Sequence, residues 1–182
     1  MSRWLHHLWL TRFSKPKGER ILFRTIKERP VRSVLEIGVG DLTRAERLIR
    51  FAGSFLPNGE LRYTVVDLFE GRPDPSTGVS LKEAHGRLKQ LDAKIKVIPG
   101  DPFSALARSA NSLPETDLVL IAGDVDRDSL ARAWTYLPRT LHQKSRILLA
   151  TETADGDAYR LMTDAEIAAA AGANVKHIAR AA

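Results

Sequence analysis

Four acidic residues and a glycine-rich turn are the features of this sequence best suited to binding a ligand. Glu36 comes two residues before the turn Gly38-Val39-Gly40. Asp67, Asp101 and Asp124 each come at or just after the end of a β-rich apolar stretch. A carboxylate accepts hydrogen bonds from two neighbouring hydroxyl groups better than any neutral side chain does, and it attracts cations. Glycines let a backbone turn sharply and approach a ligand closely.

The glycine turn departs from a dinucleotide-binding turn. The third glycine of Gly-x-Gly-x-x-Gly would fall at residue 43, which is Thr43. The carboxylate of Glu36 would oppose a pyrophosphate, whereas it suits the ammonium group of an amino acid. Asp67 follows Gly40 by 27 residues, somewhat more than the roughly 20 residues of compact dinucleotide-binding units, and the turn at Leu56 to Glu60 can absorb the excess. The turn therefore favours S-adenosylmethionine over NAD as the ligand.

Strand-like and helix-like segments alternate along the chain. Strands are predicted at 31–37, 61–68, 95–98, 117–122 and 147–150, with 175–179 as a candidate sixth strand. Helices are predicted between them, and capping boxes at Ser80 and Thr163 open two of these. Apolar strands separated by helices are typical of a parallel sheet with helices on both faces. Ligands of such sheets bind at the carboxyl ends of the strands, where all four acids fall.

We therefore predict an α/β, Rossmann-like fold with a mostly parallel sheet of six or seven strands and an N-terminal helical extension. Residues 1–29 would form a basic helical segment, and residues 30–182 would form the ligand-binding domain. The extension shows no convincing export signal, and no apolar run approaches the roughly 20 residues that span a bilayer. We expect a soluble, cytoplasmic protein.

From residue 31 to about residue 180, the chain resembles the class I S-adenosylmethionine-dependent methyltransferases. Residues 36–40 are similar to the first motif of that family, and residues 117–124 are similar to the fourth. The resemblance implies that Asp67 binds the ribose hydroxyls and that Asp101 faces the adenine amino group. The implied cofactor-binding residues are Glu36, Gly38, Gly40, Asp67, Asp101, Pro102 and Phe103. In the alternative interpretation, Asp67 only begins a surface loop and Asp101 only caps the next helix.

The fourth-strand segment is most similar to a subgroup that includes metal-assisted O-methyltransferases. In that subgroup, acids after the fourth and fifth strands hold a divalent metal. Here the matching positions are Ala122 and Thr151-Glu152, and a single carboxylate cannot supply the several oxygen ligands that a hard cation needs. We therefore expect no metal. Asp124 is the best-placed carboxylate to orient or deprotonate a nucleophile.

The positive charge is concentrated at the N-terminus. The chain has 182 residues, no cysteine and a net charge of +6. Residues 1–35 hold nine Lys and Arg against two Glu, whereas residues 36–182 hold nineteen against twenty acids. Arg20, Arg24 and Lys27 share one face of a predicted helix. That face suits a polyanion such as nucleic acid, or it is an ordinary solvated helix face.

The sequence is consistent with three functions. The first is a methyltransferase that uses S-adenosyl-L-methionine and acts on a small molecule or a nucleic acid. The second is a module of the same fold that binds the cofactor or a partner and has lost catalysis. The third is another nucleotide-dependent Rossmann-like enzyme, such as an oxidoreductase. The short C-terminal part leaves little wall for a substrate pocket, so either the N-terminal helices or the second subunit of a homodimer would complete it.

Overall fold

The computed structural model describes residues 17–181 except 75, 77, 114 and 155. Within these residues, six strands form one sheet: β1 (Ser33–Ile37), β2 (Arg62–Asp67), β3 (Lys94–Pro99), β4 (Thr116–Ile121), β5 (Leu141–Thr153) and β6 (Gly156–Leu161). Their order across the sheet is β3-β2-β1-β4-β5-β6. Strands β1 to β5 pair in parallel, and β6 pairs with β5 antiparallel. The predicted mostly parallel sheet is confirmed.

Six α-helices accompany the sheet in the described residues: α1 (Arg20–Glu28), α2 (Thr43–Gly53), α3 (Leu81–Leu88), α4 (Pro102–Ser109), α5 (Arg127–Ala133) and α6 (Asp164–Ala181). Buried side chains form two hydrophobic clusters, one for each face of the sheet. Val34 of β1 lies in the cluster that contains α1, α2 and α3 residues, whereas its neighbour Leu35 lies in the cluster of α4 and α5. This alternation is expected for a strand whose two faces are both covered.

The prediction of a strand at 175–179 is wrong, because these residues belong to a helix. Helix α6 continues to Ala181, and the sixth strand is β6, which folds back on β5 as a hairpin. The predicted capping box does form, because Thr163 Oγ1 accepts from the N–H of Glu166 and Glu166 Oε2 accepts from the N–H of Thr163. The residues of β6 are mostly exposed. An exposed strand needs no apolar run, and the apolar run that predicts the other strands is absent from β6. Its pairing with β5 defines it as a strand.

Helix α1 packs on the same core as the sheet. Leu22, Phe23 and Ile26 are buried in the cluster that also contains Val34, while Lys27 is exposed. A contact between the basic face of this helix and a polyanion stays a prediction. Residues 1–16 of the predicted extension lie outside the described residues. Within the described part, no helix is long and apolar enough to cross a membrane.

Gly18 lies in tight contact with the backbone of β6. This residue lies in a 3₁₀ turn (Lys17–Glu19) against β6, and a Cβ atom at Gly18 would lie 2.2 Å from the carbonyl oxygen of Asp157 and 2.7 Å from the Cα of Ala158. Both neighbours are backbone atoms, which cannot rotate away. Only glycine therefore fits between the turn and the strand.

We expect Gly18→Ala to lower the free energy of unfolding by about 1–3 kcal/mol, because the added methyl group must displace the backbone of β6. Gly86→Ala is the matched control, since a Cβ atom at Gly86 in α3 meets no atom within 4 Å. That change should raise stability by about 0.5–1 kcal/mol because alanine is the better helix former. Urea denaturation measures both. Equal stabilities for the two variants would contradict the close contact at Gly18.

Candidate functional site

A narrow cleft opens at the carboxyl ends of β1, β2 and β4. It lies where the strand order reverses between β1 and β4, the usual ligand position in open α/β sheets. Its lining includes Gly38, Asp67, Asp101, Pro102, Asp124 and Arg72. Five of the predicted site residues thus share one cleft, and Arg72 is an addition that sequence reasoning missed.

Three residues in and after the glycine turn, Gly38, Gly40 and Leu42, have positive φ angles. Gly38 has φ +81°, and a Cβ atom there would lie 2.8 Å from the side chains of Ala122 and Val125. Gly40 has φ +57°, and a Cβ atom there would meet no atom within 4 Å. Leu42 has φ +70° and precedes α2. The first glycine is therefore required by packing, while the second leaves the backbone open to an approaching ligand.

Asp67 ends β2 and is almost fully buried, with 5% of its surface exposed. Its Oδ2 accepts from the N–H of Val39 at 2.8 Å and from Arg72 Nη2 at 2.5 Å. Its Oδ1 accepts from the N–H of Phe69 at 2.9 Å. The carboxylate therefore ties the glycine turn to β2 and at the same time lines the cleft.

Asp101 both lines the cleft and caps a helix. It lines the cleft, and its Oδ1 caps α4 by accepting from the N–H of Ser104 at 3.1 Å and from the hydroxyl of Ser129. Burial raises the pKa of Asp101, but the hydrogen bonds from Ser104 and Ser129 outweigh burial and lower the pKa to about 2. The helix-capping alternative for Asp101 is thus observed. Its contact with a ligand stays a prediction.

Pro102 and Phe103 follow Asp101 but face different surroundings. Pro102 is buried and lines the cleft. The ring of Phe103 packs beneath the guanidinium of Arg132, 3.8 Å from the ring centroid, and beside the ring of Tyr136. The aromatic ring predicted to contact the ligand is therefore in contact with residues at and beyond α5.

Asp124 is exposed and lies at the mouth of the cleft, close to Gly38. Asp126 also lines the cleft, and it caps α5 by accepting from the N–H of Ser129 at 2.8 Å. Within the described residues, no three His, Asp or Glu side chains are grouped closely enough to hold a metal ion. Ala122 is packed against Gly38.

Glu36 is fully buried, and its partners belong to this chain. Its Oε1 accepts from Arg44 Nε at 2.7 Å, and its Oε2 accepts from the hydroxyl of Tyr63 at 2.5 Å. Arg44 Nη2 donates to the carbonyl oxygen of Gly38 at 2.6 Å, and Nη1 donates to Asp157 Oδ2 at 3.0 Å. The cation beside Glu36 in this structure is the guanidinium of Arg44. A contact between Glu36 and a ligand ammonium stays a prediction.

The charges in this network stabilise one another. Burial alone would lower the pKa of Arg44, but Glu36 and the neighbouring acid Asp157 outweigh burial and raise the pKa above its ordinary value. Burial, together with the charge of Glu36, raises the pKa of Tyr63, so its hydroxyl stays protonated and donates. Arg44 and Asp157 were not predicted from the sequence. Asp157 lies on β6, the strand that the sequence did not reveal.

We expect Arg44→Met to lower the free energy of unfolding by about 3–5 kcal/mol, because the buried carboxylate of Glu36 loses its counter-charge. The double variant Arg44→Met/Glu36→Gln should recover part of this loss. Arg50→Met is the control, since its ion pair with Glu46 is 3.9 Å long and 65% of the Arg50 side chain is exposed, and it should change stability by at most about 0.5 kcal/mol. Urea denaturation tests all three. A double variant no more stable than the single one would show that the two residues are not coupled.

Asp101 also predicts a pH dependence of stability. Its pKa in the folded protein lies below its ordinary value of 3.8, so ionised Asp101 stabilises the fold above that value, and this stabilisation is lost as the pH falls through the folded pKa. The stability advantage of the wild type over Asp101→Asn should therefore shrink between about pH 4 and pH 2. Unfolding by urea at several pH values measures it. A constant advantage over that range would be the contrary result.

No family model and no curated protein matches this sequence. Solved structures do match. The first is a TehB-like SAM-dependent methyltransferase from Corynebacterium glutamicum, with TM-score 0.52 and 17% identity, over 94% of this chain and 78% of that one. A precorrin-6y C5,15-methyltransferase from Geobacter metallireducens has TM-score 0.51 and 18% identity, over 79% and 65%. The N-methyltransferase NodS from Bradyrhizobium japonicum has TM-score 0.52 and 18% identity, over 74% and 66%.

These likenesses establish the fold. The chain has the Rossmann-like fold of the class I S-adenosylmethionine-dependent methyltransferases, as the sequence predicted. It spans about two thirds of the length of the Geobacter and Bradyrhizobium proteins.

Proposed function

We propose that this protein is a methyltransferase that uses S-adenosyl-L-methionine. The observation that carries the proposal is the shared cleft. Gly38, Asp67, Asp101 and Asp124 come from four separate parts of the sequence, and all four line one cavity at the switch point of the sheet. The similar folds are those of methyltransferases, which supports this ligand over a dinucleotide.

The residues present suit this cofactor. Asp67 offers a buried carboxylate for ribose hydroxyls, and Asp101 with Pro102 forms the neighbouring wall for an adenine ring. Gly40 keeps the turn free of a side chain where the rest of the cofactor would pass. When bound, the cofactor supplies a methyl group on a positively charged sulfonium. The acids along the cleft, Asp67, Asp101, Asp124 and Asp126, favour such a cation.

Glu36 has a positioning role in this proposal. It is fully buried and hydrogen-bonded to Arg44 and Tyr63, so it holds the glycine turn through Arg44, which in turn binds the carbonyl oxygen of Gly38. Asp124 is exposed at the mouth of the cleft, where an acceptor would enter. We assign to it the orientation of the nucleophile and the acceptance of its proton. The proposed reaction is metal-independent, because Ala122 and Thr151 carry no carboxylate where the metal-assisted relatives need one.

Calorimetric titration with S-adenosylmethionine, S-adenosylhomocysteine and NAD tests the proposal directly. Binding of the first two without NAD supports it, whereas binding of NAD alone would overturn it. Binding without any methyl transfer to acceptor pools of small molecules and nucleic acids would favour the catalytically lapsed module.

We expect Asp67→Ala to weaken S-adenosylhomocysteine binding by about 1–3 kcal/mol, since charge-assisted hydrogen bonds to the ribose are lost. Asp67→Asn, which keeps the shape of the side chain, should weaken it less. Asp164→Ala is the control, because Asp164 is an exposed acid at the start of α6. Helix α6 follows the end of β6, and that end of the strand lies away from the cleft. Calorimetry gives the affinities, and thermal melting shows that each variant is folded. An unchanged affinity in Asp67→Ala would place the ribose elsewhere.

A further inference from the structure

Arg72 is the one positively charged residue among the described residues that line the cleft. Its side chain is only 10% exposed, and Nη2 lies 2.5 Å from Asp67 Oδ2. Its other terminal nitrogen, Nη1, is buried and has no hydrogen-bond partner among the described residues. The arginine is therefore held in the cleft by one strong ion pair and not by a complete set of hydrogen bonds.

The hydrogen bonds of Asp67 leave little capacity for a ligand. A carboxylate has about four positions at which it accepts hydrogen bonds. The chain fills three of them on Asp67, with the N–H groups of Val39 and Phe69 and the guanidinium of Arg72. A ribose presents two hydroxyl groups, and one remaining position cannot accept from both. The two backbone donors are fixed by the fold, whereas Arg72 can leave by rotating its side chain.

We propose that Arg72 determines the affinity of this cleft by competing with the ribose hydroxyls for Asp67. This inference rests on the proposed function. In the free protein the guanidinium occupies Oδ2, and the ligand gains that oxygen only when Arg72 moves away. Nη1 has no hydrogen-bond partner in the part of the chain that the structure describes. This makes the displacement easier, because a buried donor without an acceptor is destabilising and gains hydrogen bonds in water.

The position of Arg72 depends on a second residue, Gly78. A Cβ atom at Gly78 would lie 1.2 Å from Arg72 Nη1 and 2.3 Å from its Cζ. The guanidinium therefore packs directly on the glycine backbone. Gly78→Ala would force the guanidinium out of its present position beside Asp67 while leaving the charge of Arg72 in the protein. The chain thus offers two independent ways to release Asp67.

The experiment measures S-adenosylhomocysteine affinity by calorimetry and its association rate by stopped flow. Arg72→Gln and Gly78→Ala should each bind more tightly than the wild type, by about tenfold if the closed pair is populated about ten to one, and should associate faster. The matched controls are Arg87→Gln, which removes an arginine paired with Glu46 and Glu83, and Gly86→Ala in α3. Both should bind like the wild type.

The outcomes separate the two proposals. If wild type and variants bind with equal affinity, or if both variants bind more weakly, S-adenosylhomocysteine is a ligand and the competition by Arg72 is wrong. If neither the wild type nor any folded variant binds, the proposed function fails, and the inference about Arg72 fails with it. Binding by the variants and not by the wild type would support both. Should Arg72→Gln fail to fold because Asp67 loses its counter-charge, Gly78→Ala, which keeps the arginine, decides the question.

Discussion

The arrangement of the cleft depends on one buried guanidinium. Arg44 joins the end of β1, the glycine turn and the edge strand β6, because its three nitrogens donate to Glu36, to the carbonyl oxygen of Gly38 and to Asp157. A charged group removed from water is tolerated only when it is paired and fully hydrogen-bonded. Each of these acceptors must therefore keep its position, and the turn between β1 and α2 is fixed as a consequence.

The fixed turn carries the geometry onward to the second acid. With Gly38 held by Arg44, the next N–H group, that of Val39, points to Asp67 at the end of β2. The ends of two neighbouring strands are thereby connected through the backbone between the glycines. A side chain at Gly38 would collide with Ala122 and Val125 and would displace this connection, whereas a Cβ atom at Gly40 would meet no atom within 4 Å.

The sequence predicted the parts of the site that follow from topology. Carboxyl ends of parallel strands meet at one edge of the sheet, so the order of the strands is enough to predict that Asp67, Asp101 and Asp124 lie together. The strand β6 could not be predicted, because an exposed edge strand carries no apolar run and is defined by its hairpin with β5. The burial of Arg44 and Arg72 was also beyond sequence reasoning, since an arginine in a polar segment is usually solvated and only the tertiary fold shows its partners.

Two of the acids predicted to face a ligand are each paired with an arginine of the chain, and the two pairs differ in one physical respect. In the pair of Glu36 and Arg44, all three nitrogens of the arginine have acceptors and the carboxylate is fully buried. In the pair of Asp67 and Arg72, one nitrogen of the arginine has no partner among the described residues and the pair lines the cleft. Removing Arg44 from its place would break every one of its hydrogen bonds, whereas moving Arg72 breaks a single ion pair and lets Nη1 bind water. The same two residue types thus form a structural pair in one place and an exchangeable pair in the other, and the number of satisfied donors decides which.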